Sequence, residues 1–523
     1  MSIGKKLAFV PLAVSALAFA APAHAEWHEA KSRHFTVFAD LPENDLRERT
    51  VKLEKFDAVL RGLFKVETDD QATIYYVPSM DDVSRLAGRA NVGGFYRPDA
   101  QGSLAIIPER LPKMRDMEGV KPTPERIMYH EYTHHMLLSN MGKFFPSWAT
   151  EGLAELFMSA QFDAAGNVII GAPNADRSWA MGGMNRWTVR RLLESDTNPP
   201  KGEERIELYS RGWLLCHYLL ISGNRPGQFF KYINAINAGA PPLKAGEAAF
   251  GDLDAFDREL ERYVRRSSFP SSKLSSDKVK TPTEVSVRTL GPGEAAIIEY
   301  RMISANGVTA KTAGPLAERA RPVAARYPDD VFVQRAITEM EYDAKNYAAA
   351  DAAANRLLAL DPKNIMGLVY KGRIAAQRAI ESKDANGWRE ARRWFLQANK
   401  LDPNYALPFA LYYDSFVAAG QTPPDAAITG INRAVVLVPA DQSLRIRAGI
   451  AALRAGDLKL SRMVLAPIAF TAHGGDKNPY ATLIKEMDAG ADKAALLAKA
   501  AELKIDKINE FTGIADDAAK KDS

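Results

Sequence analysis

The segment from Tyr129 to His135 reads YHEYTHH and contains the pattern HExxH. Two histidines four residues apart lie on one face of a helix, so the imidazoles of His130 and His134 can reach one ion. Glu131 is adjacent to them and can take a proton from a water on that ion. With eight His in the chain, a chance HExxH is expected roughly 0.01 times per sequence of this composition. The spacing predicts a metal site with its own base, and the alternative is a helix whose histidines are only packed or exposed.

A second segment offers a further ligand for such an ion. Catalytic zinc sites normally use three protein ligands and a water. Residues 146–155 read PSWATEGLAE, and a helix there places Glu151 and Glu155 on one face. The spacing leaves both carboxylates within reach of the ion, so both remain candidates for the third ligand.

The phrase W-x-x-E-G-x-A from Trp148 to Ala154, after an HExxH, resembles the gluzincin metallopeptidases, in particular the peptidase MA-like and aminopeptidase N-like families. The resemblance implies that Glu151 is the third ligand of one Zn²⁺ per chain, and that Glu155 hydrogen-bonds the first histidine. It implies hydrolysis of peptide bonds by a zinc-bound water that Glu131 activates. One feature departs from the family: 16 residues separate His134 from Glu151, and aminopeptidase N-like enzymes typically leave about two more.

A third phrase concerns the oxyanion of the tetrahedral intermediate. The segment from Tyr209 to Gly212 resembles the Y-x-x-G phrase of aminopeptidase N-like enzymes, in which the tyrosine donates to the oxyanion, and this implies the same role for Tyr209. The alternative is an aromatic packed at the start of a helix. His217 or Tyr218 could serve instead, although we expect both to pack in the core. His135 points away from the shared face by about 100°, and we expect a surface or supporting position.

The elements that must position these residues are predicted from periodicity. Alternation of apolar and polar residues predicts a strand over His34–Asp40, and Ala72–Val77 and Ser103–Pro108 are predicted as a second and a third strand. Helical spacing and cap residues predict helices over Leu46–Leu63, Pro124–Ser139 (capped by Thr123), from Ser147 onward, Tyr209–Ser222 and Leu253–Arg265. The proline that ends the third strand suggests an edge position, where the resemblance implies pairing with a peptide substrate.

Beyond about residue 320 the sequence becomes Ala-rich and repetitive. Prolines recur at the ends of similar phrases, at Pro328, Pro362, Pro403 and Pro439, with intervals of 34, 41 and 36 residues. This segment resembles tetratricopeptide repeats, each of two amphipathic helices. The alternative is an irregular helical array. A protein partner on these repeats is expected in either case.

These elements predict an α+β fold class: a gluzincin-type metallopeptidase domain with a mixed sheet, followed by an all-α tetratricopeptide-like domain. We expect a signal peptide at 1–25, the metallopeptidase domain at 26–270, a linker at 271–321, the repeats at 322–475 and a helical tail at 476–523.

The first 25 residues have the composition of a secretory leader. Lys5 and Lys6 precede an apolar run from Leu7 to Ala21, and residues 23–25 read AHA, a typical cleavage site. We therefore expect export to a periplasm or secretion, with no membrane span after cleavage; the alternative is an uncleaved anchor. The only Cys is Cys216, so intramolecular disulfides are excluded, and we expect it to be buried. The net charge of +4, without a dense basic block, makes a nucleic-acid partner unexpected.

Three functions are compatible with these features. The first is a zinc peptidase acting on a peptide or protein substrate. An endopeptidase is favoured over an aminopeptidase, because the G-x-M-E-N phrase is absent and the segment from Gly93 to Tyr96 has no carboxylate. The second is an envelope scaffold that works through its repeats and keeps a structural zinc domain. The third is an amidase acting on non-protein amides. The intact Glu131 favours an active enzyme, because folding needs the ligands and not the base.

Overall fold

The computed structural model describes residues 26–66, 71–88, 90, 92–111, 123–139, 144–174, 187–266, 268–275, 284–469, 478–505 and 511. The predicted leader, residues 1–25, lies outside these ranges. Within them, an N-terminal half of mixed sheet and helices precedes an all-helical C-terminal half, which confirms the division into α+β and all-α parts. No described helix is both long and apolar enough to cross a bilayer.

In the described part of the chain, nine strands form two sheets. Their bounds are β1 His28–Lys31, β2 Phe35–Ala39, β3 Ala72–Val77, β4 Phe95–Arg97, β5 Ser103–Pro108, β6 Gln161–Phe162, β7 Val168–Ile170, β8 Ser272–Leu274 and β9 Ser286–Thr289. The larger sheet has the order β4-β5-β3-β2-β1-β9, and the smaller one has the order β6-β7-β8. In the larger sheet β2, β3 and β5 are parallel, and β1, β4 and β9 run antiparallel to their neighbours.

The three predicted strands are confirmed as β2, β3 and β5, but the edge position predicted for β5 is wrong. Strand β4 covers it, with Phe95 opposite Ile106. Pro108 lies beyond that ladder, opposite Val77 of β3. Its missing N–H therefore costs no bond to β4, and proline is tolerated in a strand that is not an edge. The edge of the sheet on this side is β4.

The described helices are more numerous than the strands. Their bounds are α1 Glu43–Phe64, α2 Met80–Ala87, α3 Pro124–Ser139, α4 Ser147–Met158, α5 Val189–Leu193, α6 Arg205–Leu220, α7 Gln228–Asn237, α8 Pro242–Phe250, α9 Leu253–Val264, α10 Pro292–Ala305, α11 Ala313–Arg326, α12 Val331–Asp343, α13 Tyr347–Leu360, α14 Ile365–Ser382, α15 Ala385–Leu401, α16 Ala406–Ala418, α17 Asp425–Leu437, α18 Gln442–Ala455, α19 Leu458–Ala469, α20 Pro479–Asp488 and α21 Lys493–Glu502. The five helices predicted in the N-terminal half correspond to α1, α3, α4, α6 and α9. Thr123 caps α3 as predicted, because its hydroxyl accepts from the N–H of Arg126.

The sheet is buried on both faces because apolar residues occupy both sides of its strands. Ile74 and Tyr76 of β3 belong to the core under α1 and α3. Tyr75 and Val77 of the same strand belong to a second core, formed with α2 and α10. The period of two along β3 therefore sends successive side chains into different cores. Helix α3 lies on one face of a sheet that is held from both sides.

The segment predicted as a linker, 271–321, contains regular structure in its described residues. Strand β9 pairs with β1 and extends the larger sheet. Helix α10 contributes Ile298 and Met302 to the core on one face of the sheet, and its Ile297 packs with α11 and α12. The Ser- and Lys-rich sequence gave no indication of this, since strands of three or four residues are too short to show a period. The described residues of this segment therefore pack with both halves: β9 and α10 with the larger sheet, and α10 and the start of α11 with α12.

The C-terminal half is built from consecutive packed helices. We call α11–α19 the helical array. Each of the prolines Pro328, Pro362, Pro403 and Pro439 lies in the connection between two of its helices, as the spacing predicted. Asp330, Asn364 and Asp441 cap α12, α14 and α18 through their side chains. The tail contains α20 and α21, which pack with α18 and α19 in a further core.

A buried ionic cluster joins α1 to α3. Nδ1 of His34 lies 2.8 Å from Oε2 of Glu54 and 3.1 Å from Oδ2 of Asp57. Asp57 also accepts from the guanidinium Nε of Arg61 at 2.8 Å and from the hydroxyl of Tyr132, on α3, at 2.6 Å. Burial alone would lower the pKa of His34, but the hydrogen bonds to Asp57 and Glu54 outweigh it and raise the pKa to about 9. His34 is therefore protonated at neutral pH.

This cluster predicts a pH dependence of stability. The folded pKa of His34 lies above its ordinary value of 6.5, so its contribution is complete below pH 6.5 and is lost as the pH rises through about 9. Urea unfolding at pH 6.5 and pH 9.5 is expected to show wild type losing on the order of 3 kcal/mol more than His34→Gln. An equal pH dependence of the two proteins would contradict the raised pKa.

Candidate metal centre

Helix α3 brings the two histidines of the HExxH segment face to face. His130 and His134 lie one turn apart, and their Nε2 atoms are 3.2 Å from each other. The side chain of His130 is 11% exposed and that of His134 is 22% exposed. Both side chains are therefore close to the protein surface, and that of His134 is the more exposed of the two.

Glu151 of α4 completes a group of three donors. Its Oε2 lies 3.6 Å from Nε2 of His130 and 3.4 Å from Nε2 of His134. Only 2% of the Glu151 side chain is exposed. Burial alone would raise the pKa of Glu151, but the charges and hydrogen bonds of His134 and His130 hold it well below its usual value. Two imidazole nitrogens and an ionised carboxylate converge at one point and could hold a metal ion.

Glu155 occupies the supporting position that the resemblance implied. Its Oε1 lies 3.3 Å from Nδ1 of His130, on the opposite side of the ring from Nε2. A carboxylate there favours the tautomer with the proton on Nδ1, which leaves the Nε2 lone pair directed at the three-donor group. This position is compatible with a role for Glu155 in orienting His130, and the position of Glu151 is compatible with a role as a metal donor.

Asn174 is a member of the site that the sequence analysis missed. Its Nδ2 donates to Oε2 of Glu155 at 2.6 Å and to the carbonyl of Glu155 at 3.0 Å. Asn174 is buried; it lies shortly after β7 and 19 residues after Glu155 along the chain. No motif marks it. The only indication in the sequence is a polar residue shortly after the apolar run of β7.

The two residues predicted to act in catalysis lie next to the donors. Glu131 follows His130 on α3 and is half-buried. Tyr209 of α6 is also half-buried, and its ring centroid lies 6.1 Å from that of His130. The structure therefore brings all six predicted site residues into one region, from three helices.

Helices α4 and α6 are in backbone contact at two glycines. A Cβ placed on Gly152 would lie 2.3 Å from the carbonyl oxygen of Gly212 and 2.8 Å from Sγ of Cys216. Only a residue without a side chain permits this approach. Glu151 precedes one glycine, and Tyr209 lies about one turn before the other. The contact therefore fixes the distance between a donor and the tyrosine. Cys216 is buried in this interface, as predicted.

His135 is buried, which excludes the surface position and leaves the supporting position of the two that were expected. Its side chain is 3% exposed, and its ring centroid lies 4.8 Å from that of Tyr96 and 5.2 Å from that of Tyr132. The reason is that β4, which carries Tyr96, covers this side of α3. His135 packs between the metal helix and the edge strand.

His217 and Tyr218 belong to the core, as expected. Nδ1 of His217 lies 3.0 Å from the hydroxyl of Tyr263, and its Nε2 lies 3.0 Å from the carbonyl of Pro270. Burial lowers the pKa of His217 to about 4, so it is neutral. The hydroxyl of Tyr218 donates to Glu259. His217 and Tyr218 thus have partners within the core, whereas the ring of Tyr209 contacts that of His130 on α3.

A second group satisfies the geometric requirement for a metal, namely His34, Glu54 and Asp57. In this group one imidazole nitrogen faces both carboxylates, and Arg61 and Tyr132 donate to Asp57. A protonated histidine and a guanidinium already balance the two negative charges. We therefore assign this group to the stability of the fold.

The glycine contact predicts that Gly152→Ala is strongly destabilising. Because the added methyl group meets backbone atoms that cannot rotate away, α4 and α6 must separate, at a cost of about 1–3 kcal/mol. Zinc affinity is expected to fall with it, since Glu151 moves. The matched control is Gly62→Ala in α1, where the added Cβ meets nothing within 4 Å. Equal stability of the two variants by urea unfolding would contradict this interpretation.

The different positions of the two glutamates predict different losses of metal affinity. Removing the carboxylate that orients His130, in Glu155→Gln, is expected to weaken zinc binding by about 10–100-fold. Glu151→Gln removes a donor atom and is expected to weaken it further. Competition with a chromogenic chelator measures both, with the exposed Glu247→Gln as the control. A larger effect of Glu155→Gln would make Glu155 the ligand.

Searches against models of known protein families and among curated proteins gave no match to this chain. What the protein does has to be inferred from the residues and distances described above.

Proposed function

We propose that this protein is a zinc metallopeptidase of the gluzincin type. The observation that carries the proposal is the group formed by Nε2 of His130, Nε2 of His134 and Oε2 of Glu151. Glu131 is the residue next to His130 on the same helix. Two ligands bound to zinc at about 2.0–2.1 Å, with a tetrahedral angle between them, lie about 3.3–3.4 Å apart. The three separations are 3.2, 3.4 and 3.6 Å, so the donors fit one zinc ion.

The number and exposure of the donors favour a catalytic site over a structural one. Structural zinc sites are closed by four protein ligands, and catalytic sites keep one position open. Here three protein donors converge, and His134 is 22% exposed. This argues against the scaffold hypothesis, in which the zinc domain serves only folding.

When bound, zinc would act as a Lewis acid on a carbonyl and would acidify a water. Glu131 would take the proton from that water and pass it to the leaving amine. Tyr209, across from His130, would donate its hydroxyl to the oxyanion. Glu155, held by Asn174, would keep the ring of His130 in position. The residues proposed for these roles all lie on or next to the helices α3, α4 and α6 that form the candidate metal centre.

The substrate we propose is an extended peptide. Strand β4 is the edge of the sheet next to α3, and an edge strand offers unpaired backbone groups that align a peptide. Its Tyr96 contacts α3 through His135. We found no carboxylate in the sequence from Gly93 to Tyr96 that would hold a substrate amine. An endopeptidase is therefore favoured over an aminopeptidase.

The rest of the chain supports an exported enzyme with an interaction module. The leader-like first 25 residues would direct export to a periplasm or secretion. The antiparallel helix pairs of the array, with prolines between them, are compatible with tetratricopeptide-like repeats, which commonly bind protein segments.

The decisive experiment compares the chain from Glu26 onward with Glu131→Gln on casein, an unstructured protein substrate. Both proteins are expected to hold about one zinc, because Glu131 is not among the three donors. Cleavage is expected to fall by about 10²–10⁴-fold in the variant, through loss of the general base. The control is Glu125→Gln on the same helix, whose carboxylate pairs with Arg49. Absence of zinc from wild type, or full cleavage by Glu131→Gln, would refute the proposal.

A further inference from the structure

The turn between β4 and β5 is in contact with the helical array. The backbone N–H of Ala100 donates to Oδ2 of Asp441 at 2.7 Å. The hydroxyl of Tyr405 donates to the carbonyl of Gln101 at 2.8 Å. Ala100 is buried in the core of the array. Two residues from different helix pairs, more than 300 positions away along the chain, thus hold the end of the edge hairpin.

A second contact joins the array to the metal helix. Arg445 of α18 is 1% exposed, and its Nη2 donates to the carbonyl of Leu138 at 2.8 Å. Leu138 lies in the last turn of α3. The guanidinium also donates to the carbonyls of Pro439 and Val464 within the array. A cation at the C-terminal end of a helix is favourable because it satisfies unpaired carbonyls and the helix dipole.

Helix α10 also contacts the edge strand β4, through Arg97. The guanidinium of Arg97 donates to the carbonyls of Ala305 and Asn306, at the C-terminal end of that helix. Tyr96, the preceding residue, packs against His135 of α3. Strand β4 has only three residues and would be marginally stable on its own. It is held by the turn that follows it, by Arg97 and by Tyr96.

We propose that the helical array positions the active site: Asp441, Tyr405 and Arg445 hold the edge strand β4 and the end of the metal helix α3 in the arrangement that receives a peptide. This inference rests on the proposed peptidase function and names what regulates the geometry of that site. We refer to these three residues and their partners Ala100, Gln101 and Leu138 as the array contact.

The array contact would matter for the site because β4 and the metal donors on α3 must keep their relative position. A peptide can pair with β4 beside the ion only if the edge and α3 keep their relative position, so a loosened edge weakens the binding of the peptide. Buried hydrogen bonds at the far end of the hairpin prevent this loosening, because breaking them leaves buried polar groups unsatisfied. The three residues are positioning residues, since none of them lies among the metal donors.

The test uses the full zinc-loaded chain carrying Asp441→Asn with Tyr405→Phe. Asp441 caps α18 with Oδ1, and asparagine keeps that cap, but the amide that replaces Oδ2 cannot accept from Ala100. The control is Asp384→Asn, an exposed cap of α15 that accepts from Asn386. Hydrogen exchange of residues 95–108 and the kcat and KM for a peptide substrate are measured for all three proteins.

We expect exchange at residues 95–108 to rise roughly tenfold in the double variant, with a roughly tenfold higher KM and kcat within about twofold of wild type. The control is expected to match wild type. Unchanged exchange and KM would overturn the inference, and so would a loss confined to kcat. If wild type cleaves no peptide, the peptidase proposal fails, and the exchange rates still decide whether the array holds β4.

Discussion

The backbone contact between α4 and α6 is the constraint on which the site depends. Gly152 and Gly212 let the two helices approach until a Cβ on the first would lie 2.3 Å from the carbonyl oxygen of the second. The glycines of the W-x-x-E-G and Y-x-x-G phrases are therefore both required for the same close contact between α4 and α6. The close approach sets the spacing of α4 and α6, and with it the distance between Glu151 on one helix and Tyr209 on the other.

The charges of the site would favour a bound cation. Glu151 and Glu155 are 2% and 1% exposed, and two buried carboxylates without compensation would be costly. The imidazoles of His130 and His134 compensate only when protonated, but a neutral His130 is what makes Nε2 a donor. A bound cation resolves this conflict, since it neutralises the carboxylates while both histidines stay neutral. Metal binding and the stability of this region are therefore coupled.

The sequence predicted what depends on local spacing and missed what depends on distant contacts. The bounds of α3 and β3 agree with the predicted segments, because sixteen residues of helical period and a run of six residues rich in apolar and aromatic side chains are long enough to show a pattern. Strand β4 has three residues and β9 four, so neither shows one. Asn174 was missed because it acts on Glu155 through the fold and has no fixed spacing to it. The edge position of β5 was wrong because a neighbouring strand cannot be read from the strand itself.

The array contact also limits what the helical array can bind. Asp441 uses one carboxylate oxygen to cap α18 and the other to accept from Ala100. The hydroxyl of Tyr405, just before α16, is likewise used by Gln101. An external peptide could use these groups only by displacing the β4–β5 turn, and that would release the edge strand beside the metal helix. A partner that competes for this part of the array would therefore disturb the region around His130, His134 and Glu151, whereas a partner bound elsewhere on the array would leave it intact.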